Sequence, residues 1–282
     1  MENFDLRSLQ LVELDILKYV ADICDKHQIP YYLMDGTLLG AVRHKGFIPW
    51  DDDVDIAVPR PYFDKLIDIL AAECQGSYSV RNYKISAGYE KLVTRVVNEQ
   101  VKLFHDSYAG GEQAQPAWID VFPLDGMPNS RIGFQLHKYH FLWTRLLYHY
   151  SCFDTGVNLS RTDRSTVQKL LIWVGKTFRI GRKLNTRKLL DKMEEELTKY
   201  RFDKSKYVVN AYSSYMFKET YKREWFNDTV HQIFEDGELS IPTEYDAILT
   251  HLYGDYMVPP ANPEVKHSIT KIDFGEWKWK KN

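Results

Sequence analysis

Four aspartates fall within five residues at Asp51-Asp52-Asp53-Val54-Asp55, and the run continues as Ile56-Ala57-Val58. The apolar neighbours Ile48, Val54, Ile56 and Val58 belong in a buried strand, where carboxylates ordinarily do not. A strand alternates its side chains between two faces, so Asp53 and Asp55 are expected to point one way while Val54 and Ile56 point into a core. Two carboxylates on one face, roughly 6 to 7 Å apart along the strand, converge on one hard divalent cation. Without it they would repel each other and be costly to desolvate. The pattern predicts Mg2+ or Mn2+ held by Asp53 and Asp55, and joined by Asp51 if the strand begins after it. A solvated acidic loop would not carry these flanking residues. Asp51, Asp53 and Asp55 also fit positions 1, 3 and 5 of an EF-hand, but Ile56 and Tyr62 stand where that loop needs Gly and Glu.

Upstream, Pro30-Tyr31-Tyr32-Leu33-Met34 reads as a short buried strand running into Asp35-Gly36-Thr37 and then a helix over Leu38-Leu39-Gly40-Ala41-Val42-Arg43. A Gly-Thr pair at a strand-to-helix junction lets backbone N–H groups approach a phosphate, and the helix N-terminus favours its charge. Downstream, Asp120 is the lone acid in an apolar strand whose Ile119 and Val121 face away from it. It is read either as the third acid of a metal site or as a general base.

Gly36-Thr37, Asp53-x-Asp55 and the later Asp120 together resemble the signature of the nucleotidyltransferase fold. More closely, the stretch from Asp35 to Arg43 and on from Phe47 to Asp55 is similar to the LicD family, which includes the fukutin-type transferases. The similarity returns at Ile119-Asp120-Val121-Phe122-Pro123-Leu124-Asp125, and again at Tyr253-Gly254-Asp255-Tyr256, Pro259-Pro260 and His267. Thr37 and the long interval to Asp53 depart from the broad nucleotidyltransferase pattern and are shared with the LicD branch.

The resemblance implies an α+β fold, with a nucleotidyltransferase-like mixed sheet, flanking helices and a helical middle segment. It implies metal-assisted in-line transfer of a phospho-alcohol, with Asp53, Asp55 and Asp120 as the catalytic and metal-binding acids. Gly36 and Thr37 would cradle phosphates, Arg43 and Lys91 would clamp them, and Tyr256 or His267 would line the substrate cleft. The implied donor is CDP-choline or a related CDP-alcohol, with CMP leaving. The implied acceptor is a sugar hydroxyl of a cell-surface glycan or its lipid-linked precursor, of teichoic acid or lipopolysaccharide type. Fukutin-type relatives handle ribitol phosphate with the same acidic motif, so the motif reports chemistry and not cargo.

Composition agrees with an enzyme-sized folded protein. The chain has 282 residues, 44% of them hydrophobic and 14% aromatic, which excludes disorder. A net charge of −2 gives no footprint for nucleic acid. Cys24, Cys74 and Cys152 are odd in number and lack ligand spacing, as in a chain of the reducing cytoplasm. The N-terminal residues lack the basic and apolar regions of a secretory signal, and no apolar run approaches membrane-spanning length.

No internal repeat or low-complexity linker is found. Residues 1–127 are expected to form the catalytic module, opening with an amphipathic helix through Leu9, Val12, Ile16, Tyr19, Val20 and Ile23 that ends near His27. Within it, Tyr62 to Ala72 reads as a helix, Tyr78 to Ile85 and Lys91 to Val97 read as strands, and Gly110-Gly111 marks a loop. Residues 128–235 are expected to be mostly helical and basic, with Arg161, Arg164, Lys169, Lys176, Arg179, Arg182, Lys183, Arg187, Lys188 and Lys192 facing only Asp163 and Asp191. That stretch is either a solvated face or a contact for anionic lipid headgroups or a polyanionic acceptor, with Trp143, Trp173 and Phe178 near the interface. The second option would place a cytoplasmic enzyme peripherally at the inner membrane face. Residues 236–282 are expected to form a helix from Pro242 to Tyr253, stopped by Gly254, and an aromatic and proline turn that packs back on the cleft.

Two other readings are open. A metal-dependent glycosyltransferase also uses Asp-x-Asp on a nucleotide-sugar, but leaves Gly36-Thr37 and Asp120 unexplained. A catalytically dead module that binds surfaces through the basic segment would not need the acids.

Overall fold

The apolar periodicity near the N-terminus folds as helix α1 (Leu6–Lys26), capped by Asp5, whose carboxylate accepts from the Arg7 N–H at 3.1 Å. The computed structural model describes residues 5–105, 113–153, 166–178, 180–261 and 269–278. After α1 come β1 (Tyr32–Leu33), α2 (Asp35–Arg43), β2 (Asp55–Pro59), α3 (Arg60–Glu73), β3 (Tyr78–Arg81), β4 (Thr94–His105) and β5 (Gln113–Gly126). The helices α4 (Arg131–Ser151), α5 (Thr166–Phe178) and α6 (Thr186–Thr198) follow, then β6 (Tyr207–Val209), β7 (Thr220–Lys222), β8 (Thr229–Phe234), β9 (Gly237–Pro242), α7 (Tyr245–Tyr253) and β10 (Ile269–Asp273).

The main sheet has the order β1-β2-β5-β4-β10, with β3 on β4, β6 on β5 and β7 on β6. Only β2 and β5 run parallel among these described pairings, so the sheet is mixed and the fold is α+β, as expected. Parallel pairing of β2 with β5 sets Asp55 opposite Asp120, and antiparallel pairing then sets Asp120 opposite Arg95 and Arg95 opposite Arg81. One row across four strands thus passes from two carboxylates to two guanidiniums. The alternate residues Ile56, Val96, Ile119 and Val121 are fully buried in the large core that includes α1 and α3. A second core joins Tyr83, Leu92, Phe122 and Met127 to Phe141 of α4 and to Leu190, Met193 and Leu197 of α6. Helices therefore cover both faces of the sheet.

The structure corrects several boundaries. β2 begins at Asp55, so Asp53 lies in the preceding loop and does not share a strand face with it. α2 starts at Asp35, three residues before the expected Leu38, which takes Gly36 and Thr37 into its first turn. β3 stops at Arg81 because Asn82 makes a local turn, its Oδ1 accepting from the Lys84 N–H at 2.8 Å and its Nδ2 donating to Thr94 at 2.7 Å. Lys91 precedes β4 and is not part of it. The middle segment is helical only to Thr198, after which β6 and β7 return to the sheet. Pro242 ends β9 opposite Thr229 and does not start the last helix. β10 closes the sheet against β4, a pairing that the sequence pattern did not announce. Gly110-Gly111, Arg161, Arg164, Arg179 and His267 lie outside the described residues. No helix among the described residues is long and apolar enough to cross a membrane.

Candidate active site

The acidic loop between α2 and β2 has little regular structure and is fixed from three sides. From α1, the buried Gln10 amide donates to the carbonyls of Ile48 at 3.2 Å and Asp51 at 3.0 Å. From the turn between β8 and β9, Glu235 accepts the Phe47 N–H at 3.0 Å and pairs with Arg7, while its own N–H donates to Lys45 O at 2.8 Å. From α2 the approach is so close that a Cβ on Gly40 would sit 2.4 Å from Gly46 O, and one on Gly36 would sit 2.4 Å from Asp51 Oδ2. Contact and not backbone angle favours glycine here: the obstacle at Gly40 is backbone, and at Gly36 it is the movable end of the Asp51 side chain.

The loop then enters β2 in register. The Met34 N–H donates to Asp55 O at 3.0 Å, the Asp120 N–H to Val54 O at 2.9 Å, and the Asp55 N–H to the Thr37 hydroxyl at 2.9 Å. These bonds bring Asp35, Asp51, Asp53, Asp55 and Asp120 to one cavity of about 500 Å³, with Gly36, Trp50, Tyr212, Ser213, Ser214, Tyr215 and Tyr253 also in its wall. Among the described lining residues there is no Lys, Arg or His.

So many acids together hold their protons tightly. Burial, then the neighbouring Asp53 and Asp52 charges, push Asp51 up to about 8. Burial, then Asp52 and Asp120, push Asp53 up to about 6. Burial and then Asp53 push Asp35 up to about 7, and Asp55 rises well above the usual carboxylate range for the same two reasons, burial first. Behind them the buried Glu13 of α1 is also raised, first by burial and then by Asp53. Asp51, Asp52 and Asp53 each offer a carboxylate oxygen within 4.8 Å of the others. An all-oxygen, strongly acidic donor set suits a hard divalent cation.

Asp120 differs from the rest, because its Oδ1 accepts from Arg95 Nε at 2.8 Å. Arg95 in turn lies 4.0 Å over the Trp118 ring, which fixes the pair's orientation.

The expected site residues therefore separate. Asp51, Asp53, Asp55, Asp120 and Gly36 meet at the cavity. Thr37 is buried and its hydroxyl holds β2 against α2, so it positions Asp55 and does not line the cavity. Lys91 lines a neighbouring cavity of about 340 Å³ with Arg81, Arg95, Gln115 and Trp118, where burial and then Arg95 lower it to about 8. Arg43 donates to Tyr256 O at 2.6 Å and the Tyr256 hydroxyl donates to Asp246 at 2.6 Å. Those two side chains fasten the turn after α7 onto α2, outside the acidic cavity. His267 lies outside the described residues.

Asp35, Trp50, Tyr212, Tyr215 and Tyr253 were not singled out from the sequence as site residues. Tyr212 is set by a buried network in which Arg60 donates to Asp125 at 2.5 and 2.8 Å, to Glu194 at 2.9 Å and to the Tyr212 hydroxyl at 2.8 Å. The signal available was Asp125, a second acid in an apolar strand, which needs a cationic partner once buried.

Acids gathered from one loop and two paired strands, faced by the first turn of a helix, define a nucleotidyltransferase-type catalytic domain. The sequence profile of the LicD/FKTN/FKRP nucleotidyltransferase domain matches residues 28–147. The chain belongs to the LicD family: it is 31% identical over 281 aligned residues to the lipopolysaccharide cholinephosphotransferase LicD of Haemophilus influenzae, covering 95% of this chain and 98% of that protein. The human ribitol 5-phosphate transferase FKRP is 44% identical over 41 residues, 14% of this chain and 8% of its own. An uncharacterised protein of Rickettsia prowazekii, RP689, is 46% identical over 74 residues, 26% of this chain and 27% of that protein.

Proposed function

We propose that this chain is a metal-dependent phosphotransferase that moves phosphocholine from CDP-choline to a sugar hydroxyl of a cell-surface glycan or its lipid-linked precursor, releasing CMP. The observation that carries the reading is the cavity lined by five aspartates drawn from separate segments, in a chain similar over its length to a lipopolysaccharide cholinephosphotransferase. Asp51, Asp53 and Asp55 would hold Mg2+ or Mn2+, which when bound offsets charge on the diphosphate and its leaving group. The N–H groups of the first turn of α2 would meet the donor phosphates, a role that Gly36 at the cavity wall supports. The acceptor oxygen forms a bond to the phosphorus that carries choline, and the bond from that phosphorus to the oxygen of CMP breaks. Asp120, steadied by Arg95, completes the cation's shell or receives the acceptor proton.

Thermal shift and calorimetry with CDP-choline, CDP-ribitol, CDP-glycerol and UDP-sugars, each with and without Mn2+, test this. Mn2+-dependent binding of CDP-choline is expected. Preference for another CDP-alcohol changes the product, and a response to UDP-sugars alone overturns the reading in favour of a glycosyltransferase.

A peripheral contact with anionic lipid at the cytoplasmic membrane face accompanies this reading. On α4, Ile132, Leu136, Tyr139 and Trp143 are 76, 67, 64 and 58% exposed at spacings that align them on one helical face, and Trp173 of α5 is 59% exposed. Lys169, Lys183, Lys188 and Lys192 are exposed on α5, α6 and the segment between. Cosedimentation with phosphatidylglycerol vesicles but not phosphatidylcholine vesicles is expected, and Leu136→Ser with Trp143→Ser should abolish it. Equal partitioning of both proteins would remove the contact.

A further inference from the structure

The cavity presents a charge problem. It is lined by five carboxylates and no described cationic side chain, yet a donor of this class brings a diphosphate as well. One divalent ion and the Arg95 partner of Asp120 leave part of that charge unbalanced, so the site favours a ligand that brings a positive group of its own. Asp35 shows where. Its side chain lines the cavity, the residue is 4% exposed, and its Oδ1 has no hydrogen-bond partner. It is not one of the three acids Asp51, Asp52 and Asp53, whose oxygens cluster within 4.8 Å. Its backbone is left-handed, with φ of +49°, an uncommon conformation for a side chain other than Gly, Asn or Asp. A buried, unpaired acid on a strained backbone is costly to keep unless a ligand completes it.

Tyr215 and Tyr253 line the same cavity as Asp35. Behind it Glu219 is fully buried, with one oxygen bonded to the Ser213 hydroxyl and the other without a partner. A carboxylate and two tyrosine rings lining one cavity are chemistry that recognises a quaternary ammonium, which offers no N–H to bond and is attracted by anionic and π-face charge alone. A neutral polyol would instead leave the Asp35 carboxylate unsatisfied.

Resting on the transferase reading above, we infer that Asp35, Tyr215 and Tyr253 form the subsite that takes the trimethylammonium group of the transferred alcohol. This wall then selects the cargo, while the acids of the loop and strands serve the phosphates.

The test compares a cationic donor, CDP-choline, with a neutral-cargo donor, CDP-glycerol, by calorimetry at fixed Mn2+, alongside Mn2+ alone. Asp35→Asn is the informative variant, since asparagine tolerates the left-handed backbone and removes only the charge. Its affinity for CDP-choline should fall on the order of 10- to 100-fold further than its affinity for CDP-glycerol or for Mn2+ alone. Tyr253→Leu should weaken CDP-choline selectively in the same way, which guards against a folding artefact of the first variant. Equal losses for both donors and for Mn2+ would assign Asp35 to the ion and overturn the inference, as would wild-type CDP-choline affinity in Asp35→Asn. If the wild-type protein binds neither donor with Mn2+, the transferase reading itself fails and the subsite falls with it.

Discussion

Replacing Gly36 with alanine separates the work of the acidic loop from its fold. The new Cβ would lie 2.4 Å from Asp51 Oδ2, against the 3.4 Å of an ordinary contact, so that oxygen must retreat by about 1 Å. The Asp51 carboxylate is the end of a short side chain, and turning it off its preferred rotamer costs about 0.5–1.5 kcal/mol. Alanine in place of glycine inside α2 returns up to about 1 kcal/mol. Net stability should therefore change by less than about 1 kcal/mol, a shift in melting temperature of roughly 2 °C for a chain of this size. The site fares differently, because a misplacement of about 1 Å can cost roughly 100-fold in rate, or about 2.7 kcal/mol. Differential scanning fluorimetry and release of CMP from CDP-choline in Mn2+ measure both. A near-normal melting temperature with about 100-fold lower kcat/KM is expected. Wild-type turnover would refute a role for Asp51 at the cation, and a melting temperature lower by much more than 5 °C would refute the claim that the side chain alone absorbs the clash.

Arg60→Met leaves Asp125 and Glu194 buried without their shared cation and should destabilise the fold by about 3–5 kcal/mol; thermal unfolding within 2 °C of wild type would contradict this. Glu219 is pushed up to about 9 by burial first and the Asp35 charge second, with the Ser213 hydrogen bond, Asn210 and Lys218 opposing and with Tyr215 and Tyr221 nearby. Its folded form keeps a proton that the unfolded chain loses above the usual glutamate range, so this group's contribution to stability falls as pH rises from about 4.5 to 9. Glu219→Gln lacks that slope, and its melting temperature relative to wild type should climb between pH 5 and pH 8; a constant difference would contradict it.

The parts of the fold that were legible in the sequence are those where one local rule decides. The apolar spacing of α1 gave its length to within a residue or two, and Asp120 between Ile119 and Val121 gave a strand with one acid on the cavity face. Asp53 and Asp55 were placed at the site for a reason that holds only in part: Asp55 opens β2, but Asp53 reaches the cavity from a loop that Gln10 and Glu235 hold. Those tethers come from α1 and from the β8–β9 turn, far away in sequence, and no local spacing reports them. Arg43 was expected to clamp a phosphate and Tyr256 to line the cleft, and in the fold Arg43 donates to the Tyr256 carbonyl. Asp35 escaped notice as a site residue because an acid before a Gly-Thr turn reads as turn chemistry; only burial and a missing partner distinguish it. Charge patterns thus marked the catalytic centre, while the tertiary contacts that sort its neighbours into ligands and fasteners were not local.

The central claim is that the aspartate cavity holds a divalent ion against the donor's phosphates. Phosphorus relaxation of CDP-choline in the presence of protein-bound Mn2+ addresses it directly. Strong, saturable paramagnetic broadening of both phosphorus signals is expected with the wild-type protein and should be lost in Asp53→Asn of unchanged thermal stability. Broadening that is absent in the wild type, or persists undiminished in the variant, would contradict the account.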